Sequence, residues 1–298
     1  MVVTFLMRRR SALKVLGSVI DAAFARGHTC YLAKRPEVKD QFVLGDFDRW
    51  RGKLHATHTL VGCVVGVATD AEAHVGVSQF FDNILTTRGA GIQCYLSQWH
   101  KDLHMDVAPD RCAWIMDQPI VGWTMADHRP LIYAPKRHHL LFTMKRRVPE
   151  PWRRSIPGRL SYFEYVYGAW HAAKEAGLPL VIKTRPKHGD PFWLSRFGQV
   201  VGEESMYPST SLDLIMGARQ VTHFMSGAHA EARMMDVPVL NHRVPQPHLD
   251  HLPGQREIYE ALVHTPMSRD EYMTKYFAYD DTKAGARVMD VVEHARRP

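Results

Sequence analysis

Apolar and polar residues follow two different spacings along the whole chain. Short apolar runs typical of buried strands alternate with stretches in which apolar residues recur every three or four positions, the spacing of a helix with one buried face. Strands and helices that follow one another in this way predict helices layered around parallel sheets. The pattern begins with a strand at Val2–Met7, a helix from Ser11 that ends at Gly27, and a strand at Thr29–Ala33.

The same alternation predicts the other elements. In the first half we predict strands at 60–67, 92–96 and 112–116 and a helix at 78–88. In the second half we predict strands at 139–144, 180–184, 220–224 and 237–241, with helices at 161–177, 210–219 and 228–235. The clearest helix begins at the capping box Ser161–Glu164 and ends at Gly177.

The length of 298 residues permits two domains of about 150 residues each. We expect a first Rossmann-like domain at 1–137 and a second at 138–270. The segment 271–298 predicts terminal helices that pack back on the first domain. The expected fold class is α/β with two Rossmann-like domains.

Basic residues are concentrated in the middle of the chain. The chain has 38 Lys and Arg against 31 Asp and Glu, a net charge of +7. Segment 136–159 holds eight basic residues against one acidic residue, Glu150, so it carries the whole net charge. Such a segment suits a partner with phosphate groups, and the alternative is a solvated linker. The candidates for acceptor or phosphate-backbone binding in this segment are Arg147, Arg153 and Arg154.

The cysteines and the first residues exclude several classes of protein. The four cysteines are far apart and form no C-x-x-C pair, so a disulfide framework or a zinc ribbon is not expected. Apolar Val2–Met7 precedes Arg8–Arg10, the reverse of a secretory signal, and no apolar run reaches the about 20 residues that cross a bilayer. We therefore expect a cytoplasmic protein without a membrane span.

Residues that can bind phosphate follow the predicted strands of the second half. In open α/β sheets, ligands bind beyond the carboxyl ends of the strands. A small-residue turn before a helix offers backbone N–H groups to an anion, and cationic side chains across a strand end complete a diphosphate site. The alternative to phosphate binding is that Ser226-Gly227 forms an ordinary tight loop and that Lys183 is an ordinary surface lysine. The candidate donor-binding residues at these strand ends are Lys145, Arg146, Lys183, Arg185, Ser226 and Gly227.

The second half of the chain resembles the donor domain of GT-B glycosyltransferases, which hold a nucleotide-sugar mainly on their second domain. The similar stretches are 180–186 and 211–241. Glu231-Ala232, followed by Val237-Pro238-Val239, resembles the family's Glu-Ala … Gly-x-Pro-Val segment. The resemblance implies that Glu231 binds the ribose of the donor.

Two further pairs resemble family motifs. Arg185-Pro186 and Ser226-Gly227 are similar to the His-Pro and Ser-Ser pairs with which capsule-type and sialyl-type bacterial transferases contact donor phosphate. The stretch 18–33 is similar to the opening helix and second strand of GT-B proteins. The resemblance implies two domains that face each other across a cleft and a nucleotide-sugar cosubstrate. It implies no tightly bound cofactor, and a divalent ion would enter with the donor diphosphate.

The chain also departs from the family pattern. Arg185 stands where the motif has histidine, Gly227 replaces the second serine, and Asp236 takes a place usually held by glycine. His223 stands eight residues before Glu231, where retaining enzymes with paired glutamates carry the first of them. This departure disfavours a retaining mechanism.

An inverting transferase needs a base that removes the proton of the acceptor hydroxyl and positive groups that stabilise the departing diphosphate. Asp117, after the predicted strand 112–116, is the candidate base, and the alternative is an ordinary turn aspartate. The competing bases are Asp46, Asp48, Asp82 and His100. The histidines interpreted as scattered surface residues rather than metal ligands are His138, His139, His242, His248 and His251.

The sequence thus predicts a nucleotide-sugar-dependent glycosyltransferase that acts on a hydroxyl acceptor. The basic segment slightly favours a hydroxylated base in DNA, as modified by phage enzymes of this fold, over a cell-surface glycan. The competing hypotheses are a nucleotide-sugar epimerase or a polyol-phosphate transferase on the same scaffold, and a nucleic-acid-binding protein without catalytic activity.

Overall fold

The computed structural model divides the chain into two compact units. Unit 1 contains residues 1–128, 206–208 and 270–298, and unit 2 contains residues 129–205 and 209–269. The residues that the structure describes are 1–7, 12–34, 48–50, 59–63, 74–78, 91–107, 109–113, 115–129, 136–143, 162–184, 192–202, 207, 209–223, 227–240 and 267–295.

Helices occur in both units. The described helices, in chain order, are α1 (Ala12–Ala25), α2 (Gln98–Val107), α3 (Pro109–Cys112), α4 (Tyr162–Glu175), α5 (Thr210–Met216), α6 (Ala228–Met234), α7 (Arg269–Phe277) and α8 (Ala284–His294). Short 3-10 helices lie at Thr124–His128 and Phe192–Arg196.

Unit 1 is built on a parallel sheet of six strands among the described residues. The strands are β1 (Val2–Met7), β2 (Thr29–Lys34), β3 (Asp48–Trp50), β4 (Thr59–Cys63), β5 (Val75–Val77) and β6 (Ile92–Cys94). Their order is β3-β2-β1-β4-β5-β6, and each neighbouring pair is parallel. The order reverses between β1 and β4, as in a Rossmann fold.

Helix α1 connects β1 to β2 and shows why this part of the sequence folds as it does. Leu13, Leu16 and Ile20 recur at helical spacing and are all buried. The helix ends before Gly27, whose φ of +70° is a left-handed conformation that glycine adopts without strain. The predicted helix between Ser11 and Gly27 is therefore confirmed for its described residues.

Helix α8 belongs to unit 1 and packs against α1. The carboxylate of Asp127 accepts hydrogen bonds from the backbone N–H groups of Ala284 at 3.0 Å and Gly285 at 2.6 Å, so it caps the first turn of α8. At the other end of the helix, Arg26 donates a hydrogen bond to Glu293 at 2.9 Å. The first turn of α8 is thus held by the 3-10 helix Thr124–His128, and its last turn is held by Arg26, which directly follows α1.

Unit 2 repeats the parallel architecture with five described strands. They are β7 (His138–Phe142), β8 (Leu180–Lys183), β9 (Gln199–Val201), β10 (Ala218–Thr222) and β11 (Val239–Leu240). The order is β11-β10-β7-β8-β9, again with parallel neighbours. The chain runs from β7 to β9 on one side and returns to the other side of β7 at β10.

Helices cover both faces of the unit 2 sheet. On one face, Leu141 lies in a buried cluster with Tyr165 and Val166 of α4. On the other face, Leu140 lies in a cluster with Ile215 of α5. Because neighbouring residues of one strand point to opposite faces, a strand buried on both faces is largely apolar. This requirement explains the continuous apolar runs in the sequence of unit 2.

Most predicted elements are confirmed, with boundaries that differ by a few residues. The predicted helix 161–177 is observed as α4 and the predicted strand 220–224 as β10. The strands β3, β5 and β9, each of three residues, were not predicted. The predicted helix 78–88 lies outside the described residues from position 79 onward.

The strand predicted at 112–116 is wrong. Helix α2, which the sequence pattern did not predict, and the short α3 occupy 98–107 and 109–112. The pattern of α2 was missed because His100 and His104 count as polar in a sequence, whereas both are buried together with Leu103. His100 and His104 lie about one helical turn apart, so with Leu103 they form the buried face of this helix.

Two further findings concern the cysteines and the helices. All four cysteines are buried thiols and none forms a disulfide. Within the part of the chain that the structure describes, no helix has the length and apolar character needed to span a bilayer.

We predict that Gly285→Ala destabilises unit 1. A Cβ atom at position 285 would lie 2.6 Å from the backbone of Ser18, so α8 must move away from α1. The free energy of unfolding, measured by urea denaturation, should fall by about 1–3 kcal/mol. The control is Gly227→Ala, where a Cβ meets nothing within 4 Å, and its change should stay within about 0.5 kcal/mol. Equal stability of the two variants would contradict the tight contact of α8 with α1.

Candidate functional site

The carboxyl ends of the unit 2 strands lie along one edge of the sheet, which we call the unit 2 edge. The last strand residues that define it are Phe142, Lys183, Val201, Thr222 and Leu240. The strand order reverses between β7 and β10, so the switch point of the sheet lies between these neighbours. Open α/β sheets bind ligands outside the carboxyl ends of the strands at such a point. The side chains at the ends of β7, β8 and β10 therefore form the candidate site.

Lys183 is the last residue of β8 and is 2% exposed. Its Nζ donates a hydrogen bond to the backbone carbonyl of Thr184 at 2.8 Å. The interpretation of Lys183 as a surface lysine is therefore wrong. Thr143 and Thr184, the residues that follow β7 and β8, are also buried. The edge between these two strands thus carries a positive charge and two hydroxyl groups close to the sheet.

Glu231 and Gly227 lie on the connection that follows β10. Gly227 is the exposed N-cap residue of α6, with a φ of −56° that any residue can adopt. Glu231 lies in the first turn of α6 and is 6% exposed. A carboxylate is an acceptor of hydrogen bonds from hydroxyl groups, which suits the ribose contact that the family resemblance implies for Glu231. Ser226 lies outside the described residues.

Two buried histidines at the switch point were not among the predicted site residues. His223 directly follows β10 and His229 lies in the first turn of α6. His223 Nε2 lies 3.0 Å from His229 Nδ1, and the two rings meet edge to face with their centres 5.1 Å apart. Burial, the neighbouring His223 and Arg233 lower the pKa of His229 to about 3. His229 is therefore neutral at physiological pH.

A third buried histidine in unit 2 has a different environment. Gln220 Nε2 donates to His139 Nδ1 at 2.9 Å, and His139 Nε2 donates to Thr222 Oγ1 at 2.8 Å. The interpretation of His139 as a surface residue is wrong, because it joins β7 to β10 in the core. His138 is half-buried and donates to the backbone carbonyl of Leu214 at 3.0 Å.

His242, His248 and His251 lie outside the described residues. Among the residues that are described, no group of three His, Cys, Asp or Glu side chains is arranged to hold a metal ion.

Asp236 explains one departure from the family pattern. It follows α6 at the position that resembles a family glycine, and its φ is +52°. Aspartate is one of the few residues besides glycine that adopt this left-handed region at low cost. The backbone conformation that glycine would provide is therefore kept, although the side chain differs.

Asp117 lies far from the carboxyl ends of the unit 1 strands. It forms a parallel bridge with Ile92, the first residue of β6, so it sits at the amino edge of that sheet. With Asp290 and His294 it lines a shallow cavity of about 260 Å³. The strand that motivated Asp117 as a base does not exist, and α/β sheets bind ligands at the opposite edge. Its catalytic role stays a prediction from sequence.

The competing bases have different positions. His100 lies in α2, beyond the carboxyl end of β6, and is 5% exposed. Burial and the nearby His104 lower the pKa of His100 to about 3. Asp48 is the first residue of β3. Asp46 and Asp82 lie outside the described residues.

Most of the basic segment also lies outside the described residues. Lys136 and Arg137 are described and exposed, and Lys136 Nζ donates to the backbone carbonyl of Asp236 at 3.1 Å. The candidate residues that the structure does not describe are Lys145, Arg146, Arg147, Arg153, Arg154 and Arg185.

Solved structures similar to this chain are enzymes of nucleotide-sugars and cell-wall polymers. The UDP-GlcNAc 2-epimerase of Methanocaldococcus jannaschii, in complex with UDP-GlcNAc and UDP, has a TM-score of 0.53 at 10% identity, with 99% of this chain and 100% of that chain covered. MnaA of S. aureus, in a structure with UDP, has a TM-score of 0.54 at 9% identity, covering 98% of this chain and 96% of that one. The wall teichoic acid polymerase TagF has a TM-score of 0.57 at 8% identity, covering 99% and 88%.

No protein-family model and no curated protein sequence matches the chain. At identities near 10%, the similar structures establish the fold. The chain consists of two parallel-sheet α/β domains of the GT-B-like type. The fold class predicted from the sequence is therefore confirmed.

We predict that the protein loses stability in mild acid. The pKa values of His100 and His229 are lowered to about 3, and burial lowers that of His128 to about 4. In the unfolded chain histidine titrates near 6.5, so between about pH 6.5 and pH 4 the unfolded state binds protons that the folded state does not. Each of these histidines should lower the free energy of unfolding by about 1.4 kcal/mol per pH unit in that window.

Urea denaturation at about pH 7.5, 6 and 5 measures this slope. The variant His128→Phe should show a smaller slope, because it removes one of the three groups. Replacing the exposed His171 by Asn should leave the slope unchanged. A stability that does not depend on pH in this range would contradict the neutral state of the buried histidines.

Proposed function

We propose that this chain is a nucleotide-sugar-dependent enzyme, and specifically a glycosyltransferase, whose unit 2 binds the donor. The observation that carries the proposal is the unit 2 edge, where a buried lysine and a buried glutamate lie beside the switch point of a parallel sheet. Ionisable side chains are costly to bury, and a protein that keeps them at the ligand-binding edge of a sheet most often uses them there. The GT-B-like fold supports the same assignment.

In the proposed donor complex, each side chain has one role. Lys183 supplies positive charge close to the diphosphate and stabilises the negative charge that develops as the diphosphate departs. Glu231 accepts hydrogen bonds from the ribose hydroxyls. Arg185 and Ser226, which the family resemblance assigns to the donor phosphate, complete the site, with Lys145 and Arg146 after β7. A divalent ion would arrive with the diphosphate.

A 2-epimerase is the second candidate function. The specific observation in its favour is that two of the similar solved structures are described as UDP-GlcNAc 2-epimerases and match over nearly the whole chain. Incubation with UDP-GlcNAc alone, followed by proton NMR, separates the two candidates. A changed sugar-nucleotide without an acceptor indicates an epimerase, whereas a glycosyltransferase leaves the sugar unchanged until an acceptor is added.

We predict that a nucleoside diphosphate binds to the protein and that Glu231→Gln weakens this binding. Calorimetry with UDP, CDP, GDP and ADP should identify one preferred base. A lost hydrogen bond to a charged group costs about 1.5–3 kcal/mol, which corresponds to a loss of affinity of roughly 10- to 100-fold. The matched control is Asp213→Asn, an exposed carboxylate of α5 in the same unit, which should bind as the wild type does. Absence of nucleotide binding would refute the function, and normal binding by Glu231→Gln would refute the ribose contact.

For the acceptor, we infer from the basic segment that a hydroxylated base in duplex DNA is favoured over a glycan. A DNA acceptor predicts binding that weakens steeply with salt, because each neutralised phosphate releases counterions. The affinity for a hydroxymethylated duplex should fall by about 1,000-fold or more between about 50 and 200 mM salt if the segment contacts six or more phosphates. The double variant Arg153→Ala/Arg154→Ala should reduce this salt dependence. A wild-type protein that binds no duplex at low salt points to a glycan acceptor.

A further inference from the structure

Helix α4 has two apolar faces, and the fold of unit 2 uses one of them. The first face is buried against the sheet. On the second face, Phe163 is 51% exposed and Tyr167 is 46% exposed. Together with the partly buried Trp170 and the exposed Lys174, they recur at intervals of four, three and four positions. This is the spacing with which a helix presents one stripe to a second helix.

The 3-10 helix Phe192–Arg196 and the residue after it extend this second face. The ring centre of Phe163 lies 5.5 Å from that of Trp193 and 5.7 Å from that of Phe197. The ring centres of Trp170 and Phe197 are 5.9 Å apart, and the rings of Phe163 and Tyr167 are nearly parallel, at 13°. We call these five side chains, Phe163, Tyr167, Trp170, Trp193 and Phe197, the aromatic surface of unit 2.

The composition of the aromatic surface is that of a contact between proteins. Removal of apolar area from water drives most protein association, and soluble monomers seldom expose large contiguous apolar patches. Trp, Tyr and Phe are enriched where protein surfaces meet. Phe192, beside Trp193 in the 3-10 helix, is 85% exposed and enlarges the area that a partner would cover.

The charges around the aromatic surface indicate which partner it suits. Apart from His171, the charged side chains of α4 and of the 3-10 helix are Glu164, Lys174, Glu175 and Arg196. Acidic and basic groups are therefore balanced, whereas a surface for DNA or for an anionic membrane needs an excess of positive charge. Glu164 lies in the first turn of α4 and Lys174 in the last turn. A second α4 that runs in the opposite direction thus brings opposite charges together at both ends.

One antiparallel register matches every member of the stripe. A twofold axis between Tyr167 and Trp170 places Tyr167 against Trp170 of the second copy. The same axis places Phe163 against Lys174 of the second copy, where an ammonium group can lie over the aromatic ring. Glu164 then lies beside the same Lys174. The aromatic rings supply the affinity of such a contact, and the charges fix its direction and register.

We infer that two copies of this chain associate through the aromatic surface of unit 2, with their α4 helices antiparallel about a twofold axis. A twofold axis uses the same patch on both copies, so a patch that matches itself forms a closed dimer. The inference rests on α4 and the 3-10 helix and is independent of the proposed donor site.

Sedimentation velocity of the full chain, at concentrations up to about 100 µM, measures the association. The mass should rise from the 34.1 kDa of one chain to twice that value. Tyr167→Asp places a carboxylate at the centre of the contact and should raise the dissociation constant by about 30-fold or more. The control is Phe24→Asp, which changes an aromatic residue of α1 that is 41% exposed and should leave the association unchanged. Urea denaturation shows whether each variant is folded, and Phe163→Ser is the second variant of the contact.

Charge reversal tests the antiparallel register. Glu164→Lys and Lys174→Glu each bring like charges together in the proposed contact, so each variant alone should associate more weakly than the wild type. In a mixture of the two variants, every pair is again of opposite charge. The mixed dimer should therefore be about fivefold tighter, or more, than the dimer of either variant alone.

The outcomes separate this inference from its alternatives. A wild-type dimer that Tyr167→Asp loses, that Phe24→Asp keeps and that the mixture of charge variants recovers supports the inference. A wild type that keeps the mass of one chain overturns it, and cosedimentation of that monomer with vesicles of phosphatidylcholine and phosphatidylglycerol would assign the aromatic surface to a membrane.

Two other results also overturn the inference. A dimer that both Tyr167→Asp and Phe163→Ser retain would place the contact elsewhere on the chain. A mixture of the charge variants that associates no better than its components would exclude the antiparallel arrangement. Calorimetry of nucleotide binding to the same variants tests the proposed function separately, because the unit 2 edge contains none of the substituted residues.

Discussion

Parallel strands can pair only if each connection returns the chain to the amino edge of the sheet, so all carboxyl ends collect along one edge and each strand is buried on both faces. In unit 2 this constraint places the residues after β7, β8 and β10 side by side, although they are about 40 residues apart in sequence. Lys183 comes to the edge from one side of β7 and His223 from the other. In unit 1, the bridge of Asp117 to Ile92 places Asp117 at the amino edge of the sheet, the edge opposite to the carboxyl ends of the strands.

The elements that sequence reasoning found are those whose signals are local. The helix α4 has a capping box before it and Gly177 after it, at a φ of +65°, so the chain itself encodes both ends. The strands β3, β5 and β9 have no such signal, because their three residues pair only once longer neighbours are in place. Among the site residues, Glu231 and Lys183 could be chosen from a motif and a strand end, but their burial depends on helices elsewhere in unit 2. The His223–His229 contact could not be predicted, because it depends on where α6 lies relative to the end of β10.

Buried histidine is a recurring feature of both units. His100, His104, His139 and His229 are polar residues and yet fill positions that an apolar residue would otherwise take. A neutral imidazole is small enough and apolar enough to be buried, and its two nitrogens can still bond to a neighbour. Because histidine counts as a polar residue, the buried face of α2 does not show in the apolar pattern of the sequence.

Asp127 caps α8, and α8 packs closely on α1 at Gly285. Unit 1 is therefore completed by a helix that follows unit 2 in the sequence. During synthesis, the strands of unit 1 leave the ribosome well before the helix that covers α1. All of unit 2 is made in the interval, and because only residues 206–208 interrupt it, unit 2 can fold as soon as it emerges. Unit 2 is therefore expected to reach its native state first. Until α8 has been made, the face of α1 that α8 covers stays exposed. The apolar face of α1 that α8 covers therefore stays exposed throughout the synthesis of unit 2, and this face is where a chaperone would bind.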